Sequence, residues 1–206
     1  MTVAEGPRSA GLVARVQNII LHPKAEWAAI DGESTTVQGL FTGYAMVLAA
    51  IPAIAQAIGG FLPICLFGVC IHLNPISVIV GAVIYYIAEL AGVYVIGLVI
   101  DALAPSFGGQ KNPTAAMKVA VYSFTAYWLA GIFAIFPPLA ILSLVGLYSF
   151  YLLFVGLPVL MKAPQDKALG YTAVSILIGI VVFIIIAAIE GVIRSMGSAM
   201  PGVTVG

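Results

Sequence analysis

The chain has 206 residues, 62% of them hydrophobic and only 8% charged, with a mean hydropathy of +1.15. Soluble globular domains carry about a quarter charged residues, so an ordinary soluble fold is excluded and an all-α polytopic membrane protein is expected. Eight Lys and Arg balance eight Asp and Glu, which leaves no basic surplus for nucleic acid to bind.

The first twenty residues lack a basic start, a long apolar core and a small-residue cleavage site, so they do not read as a signal peptide and the first span itself must direct insertion. Leu12, Val13, Val16, Ile19 and Ile20 recur on one helical face, with Arg15, Gln17 and Asn18 off it. This pattern predicts an amphipathic helix too short to cross, lying on the cytoplasmic leaflet or beneath a bundle. Pro23 then starts a second short helix, with Trp27 as an interfacial anchor. Thr35 and Gln38 have capping-box spacing at the start of the first span.

A membrane helix needs about 20 mostly apolar residues. Five segments satisfy this, at about 37–59, 76–103, 115–136, 139–161 and 168–192. The expected organisation is a cytoplasmic segment over 1–36, a five-span bundle over 37–194 and a short outer tail over 195–206. Pro63 and Pro75 bracket an apolar connection too short to cross, which reads as interfacial or re-entrant; Pro137 and Pro138 make a tight helical hairpin between the third and fourth spans. Orientation follows from Lys and Arg. Arg8, Arg15 and Lys24 precede the first span, Lys111 and Lys118 follow the second, Lys162 and Lys167 follow the fourth, and only Arg194 falls on the opposite side. Seven against one predicts a cytoplasmic N-terminus and an outer C-terminus.

The fragments NIILHPKAEWAAI, DALAPSFGGQKNP, KVAVYSFTAYWLAGIF and FPPLAILSLVGLYSFYLLFVGLPVLMKAPQDKALGYT resemble, in order and spacing, the bacterial branch of the Yip domain family. The resemblance covers nearly the whole chain, and the last fragment is the most specific. It implies a five-helix membrane domain with a cytoplasmic N-terminus. Eukaryotic members interact with Ypt/Rab GTPases and are linked to vesicle trafficking and membrane shaping, a setting that a bacterial chain would lack. One departure is Ala126, where the family pattern has a proline; its absence removes an expected kink from the third span.

Glu89, in YYIAELAG, is the outstanding candidate for chemistry. It falls at the centre of the second span, where an acidic residue costs roughly 2.5 to 3.5 kcal/mol on insertion scales. It must be neutral, paired or in contact with water. Tyr85 and Tyr86 lie one turn back, Gln56 of the first span is a candidate partner, and Gly81, Ala88 and Gly92 form a small-residue seam beside it. One reading is a protonated carboxyl bonded to tyrosine; the other is a proton- or cation-binding group in a solvated path.

Asp101 and Lys111 flank a glycine turn at the cytoplasmic end of the second span, as an interfacial pair or as a gate or docking loop. Cys65, Cys70 and His72 could offer at most three ligands to soft Cu(I) or Zn(II). The two cysteines, five apart, would point away from each other in a helix, so small buried hydrophobes are the alternative. Glu190 and Arg194 have the spacing of a structural ion pair.

Neither a phosphate-binding glycine loop nor HExxH, GxSxG or SxxK is present, and His22 and His72 fall on opposite sides of the membrane. The reading is therefore non-enzymatic, without a cofactor, integral to the bacterial inner membrane. Two functions are expected of it: passage of a proton, cation or small solute along a polar path at Glu89, or membrane organisation and protein interaction through the amphipathic helix and cytoplasmic loops. The partners implied are the lipid bilayer, a small ion or solute, and a protein partner or second copy.

Overall fold

The computed structural model describes residues 11–66, 69–71 and 74–197; His72 and the side chains of Cys65, Cys70, Glu190 and Arg194 lie outside the described residues. Two short helices come first, α1 (Leu12–Leu21) and α2 (Pro23–Gly32). Pro23 opens α2 at a position whose N–H would have no intrahelical partner, which is where proline belongs. Five helical segments long and apolar enough to cross a membrane follow: Val37–Phe61, Pro75–Phe107, Pro113–Ile135, Ile141–Leu160 and Gln165–Ala188, numbered here as spans one to five.

Spans two and three both begin with Asn-Pro. Asn74 Oδ1 accepts from the Ile76 N–H at 2.8 Å and Asn112 Oδ1 from the Ala115 N–H at 3.1 Å, satisfying first-turn donors. Span one is capped by Thr36, whose Oγ1 accepts from the Gly39 N–H at 3.0 Å, one residue later than the expected Thr35. Thr36 has the extended backbone that a cap residue needs.

The connection between spans one and two, expected as an interfacial or re-entrant segment, contains two short strands. Strands β1 (Ile64–Leu66) and β2 (Val69–Ile71) pair antiparallel, with Cys65 opposite Cys70 in the register. Pairing satisfies backbone groups locally in an apolar run too short to form a spanning helix. The cysteines thus occupy facing register positions rather than the divergent ones of a helix.

Span two packs against spans one, three and five; span three packs against one, two and four; spans four and five pack together. Span three is the most enclosed. Its helix breaks after Ser123 although Ala126 replaces the expected proline. Thr125 Oγ1 donates to the Tyr122 carbonyl at 2.7 Å, and the Tyr127 N–H donates to Ser149 Oγ of span four at 2.9 Å. A side chain entering the backbone ladder breaks a helix as a proline would. Beyond Phe136, which is extended as residues before proline are, Pro137–Leu147 continues as a 3₁₀ helix into span four.

Candidate functional site

Glu89 lies on the inward strip of span two, which also includes Val78, Gly81, Val93, Ile96 and Ile100, and is 3% exposed. Gly81 and Gly92 of the small-residue seam are buried and Ala88 is half-buried, with Gly92 facing Phe183 and Ile186 of span five. The Tyr85 hydroxyl meets that of Tyr127 at 3.0 Å, and the Tyr86 hydroxyl donates to the Met46 carbonyl of span one at 2.9 Å. These contacts tie span two to spans three and one. Gln56 is half-buried and makes no hydrogen bond among the described residues.

A second polar constellation went unread in the sequence. Arg15 of α1, expected on the helix's solvated side, is turned inward and 3% exposed. Its guanidinium donates to Glu26 of α2 and to both carboxylate oxygens of Glu33, and lies 5.5 Å from the ring centre of Tyr122 in span three. Burial opposes the charge, but the hydrogen bond and charge of Glu33, with Tyr122 and Glu26, outweigh it and raise the Arg15 pKa. Because the folded value is raised, this stabilisation is fully present below the ordinary arginine range and is lost as pH rises through the folded value.

Lys118 is not a loop lysine. It sits inside the span-three helix, buried, and its ammonium donates to the Ile30 carbonyl at 2.8 Å and to the Glu33 carbonyl. A cation thereby satisfies the acceptors left at the end of α2. Lys162 reaches Asp31 at 2.6 Å, and the Tyr148 hydroxyl donates to the Ile20 carbonyl at 3.0 Å. Trp27, expected as an interfacial anchor, is fully enclosed: it meets Tyr122 edge-on, and a Cβ at Gly156 of span four would lie 2.7 Å from its ring. The signal in the sequence was Lys118 itself, a cation inside a predicted span.

At the same end of the bundle, Asp101 Oδ1 accepts from the Asn112 N–H at 2.8 Å, while Lys111 is exposed and forms no ion pair among the described residues. The Gln110 N–H donates to the Met161 carbonyl at 2.8 Å, and the Tyr171 hydroxyl of span five bonds the Ile100 carbonyl. Asp101→Ala is therefore expected to cost about 1 kcal/mol, and Lys111→Met less than about 0.5 kcal/mol. Thermal melts of both variants in detergent check this; equal losses would mean that Asp101 works through Lys111.

A cavity of about 560 Å³ lies among spans two to five at the break in span three, lined by Ser123, Phe124, Tyr127, Ser149, Ser175 and Phe183 among others. A smaller groove of about 260 Å³ runs between spans one and two beside Tyr86. Glu89 lines neither. Among the described residues no group of His, Cys, Asp and Glu could hold a metal ion.

Five apolar helices and a polar cluster gathered at one end of the bundle define an integral membrane protein. The Yip1 domain matches residues 18–186, and the chain belongs to that family. It is 28% identical to "Inner membrane protein YohC" of Escherichia coli strain K12 over 191 residues, covering 90% of this chain and 98% of that protein. The protein of the same name from Escherichia coli O6:H1 matches to the same extent. No solved structure matches.

Proposed function

We propose that the chain is a non-enzymatic inner-membrane protein that organises the cytoplasmic leaflet through its N-terminal helices. The observation that carries this is the rotation of α1. Arg15 and Ile19 face the bundle, whereas Val13 and Leu21 are 66% and 68% exposed. A helix that hides its cation and presents aliphatic side chains is suited to an interfacial position, with apolar surface entering the headgroup and acyl boundary. The grip of Arg15 and Lys118 would transmit that insertion to the spans. The excess of Lys and Arg on this side supports a cytoplasmic location, and the naming of the relatives supports the inner membrane.

In proteoliposomes, the protein is expected to deform vesicles as seen by cryo electron microscopy, and Val13→Asp/Leu21→Asp to leave them round while keeping the wild-type melting temperature. Identical vesicle shapes for both proteins would overturn the reading.

The enclosed Glu89 favours a second reading, because an intramembrane acid is by default a functional group. It could bind a proton or cation that crosses the bundle. Proton or cation flux into dye-loaded liposomes, reduced by Glu89→Gln, is its expected result; flux equal to that of empty vesicles for every ion tested would remove it.

A further inference from the structure

The cavity among spans two to five has three features that together specify an occupant. Its walls are aliphatic and aromatic, and no Asp, Glu, Lys, Arg or His lines it. Its rim opens toward lipid, because Leu144, Leu147 and Phe150 of span four and Ile180 and Ile184 of span five are both lining residues and exposed. Two serines in its wall have buried hydroxyls without hydrogen-bond partners among the described residues: Ser123 at the break in span three and Ser175 in span five, each 2% exposed.

Serine in a membrane helix can return its hydroxyl bond to the carbonyl one turn back. Thr172 of span five does so, to Ala168 at 2.8 Å, yet Ser175 on the next turn does not. Ser149, on the same cavity wall, is engaged by the Tyr127 N–H. An unsatisfied hydroxyl in a low-dielectric interior is costly, so the two orphaned groups mark where a ligand's polar atom would be recognised.

We infer that this cleft binds an uncharged amphiphile that enters sideways from the bilayer, its hydrocarbon body along the walls and one hydroxyl or carbonyl held by Ser123 and Ser175. Its volume falls within the range of roughly 300 to 1,000 Å³ typical of small-molecule sites. The lack of a charged side chain in the lining excludes the headgroup of a charged lipid as the recognised part. The interrupted backbone contributes to recognition, since Ser123 ends one helical segment of span three and Ser149 buttresses the next.

The test uses the full-length protein in phosphatidylcholine nanodiscs with two photoactivatable probes of equal chain length, a diazirine-bearing hexadecanol and a diazirine-bearing hexadecane. The alcohol is expected to label spans four and five and to be displaced by excess unlabelled hexadecanol. Ser123→Ala/Ser175→Ala should weaken that displaceable labelling by about fivefold per hydroxyl, with alkane labelling unchanged. Gly179→Leu, which adds bulk inside the cleft one turn beyond Ser175, should abolish labelling by both probes there. Wild-type melting temperatures show that the variants fold.

Equal, non-displaceable labelling by alcohol and alkane would overturn the inference, as the mark of an ordinary lipid-filled groove. Alcohol labelling that survives loss of both hydroxyls would overturn it too, and would leave them as water-satisfied.

Discussion

Arg15→Ala is expected to be among the most damaging single substitutions in the chain. Removing the guanidinium leaves Glu26 and Glu33, whose side chains are only 9% and 13% exposed, facing each other without their cation. Breaking a buried ion pair from one side costs about 3 to 5 kcal/mol, which in a chain of this size lowers the melting temperature by on the order of 10 °C. Replacing all three groups behaves differently. Arg15→Met/Glu26→Leu/Glu33→Leu removes the desolvation cost together with the attraction, so it should be less destabilising than Arg15→Ala alone. Lys118 keeps its two carbonyl acceptors in that triple variant, because its hydrogen bonds go to the backbone of Ile30 and Glu33, although it loses the favourable charge of the Glu33 carboxylate. Melts of the single and triple variants in one detergent check the ordering; a triple variant less stable than the single would show that the cluster stabilises through net attraction.

Gly156→Val is expected to expel Trp27 from its site. The indole is fully buried, and its ring atoms lie within 2.7 to 3.0 Å of where the new Cβ would stand. No rotamer of valine relieves a clash at Cβ, so α2 must shift away from span four, at about 1 to 3 kcal/mol for overpacking of this kind. Trp27→Leu alone leaves a void and should cost about 3 kcal/mol. The two together should cost less than their sum by at least about 1 kcal/mol, because the smaller side chain makes room for the valine. Strict additivity in a double-mutant cycle would mean that α2 is not seated on Gly156.

The family and the five apolar helices were legible in the sequence because a spanning helix leaves a long apolar run. Glu89 was legible as an anomaly for the same reason: a charge in such a run stands out. What the sequence concealed was the direction in which short helices turn. α1 shows apolar residues over a wide arc, and periodicity alone puts Arg15 outward; the two carboxylates that draw it inward come from α2 and the turn after it. The break in span three was concealed differently. A proline signals a kink from within its own helix, whereas here Ser149, 22 positions beyond Tyr127, breaks the ladder from a neighbouring span. The β1–β2 ribbon was missed because six residues in two short runs carry no period long enough to distinguish from a helical turn.

These features make the N-terminal helices part of the membrane bundle rather than a tether beside it. The direct test is a cross-link between Asp31→Cys and Lys162→Cys in a chain whose Cys65 and Cys70 have been replaced by serine. The native side chains approach to 2.6 Å, so a short bis-maleimide should join the two positions in membranes in high yield, and adding Arg15→Ala should reduce that yield several-fold. Failure to cross-link with Arg15 intact, in protein that keeps its wild-type melting temperature, would contradict a docked N-terminus.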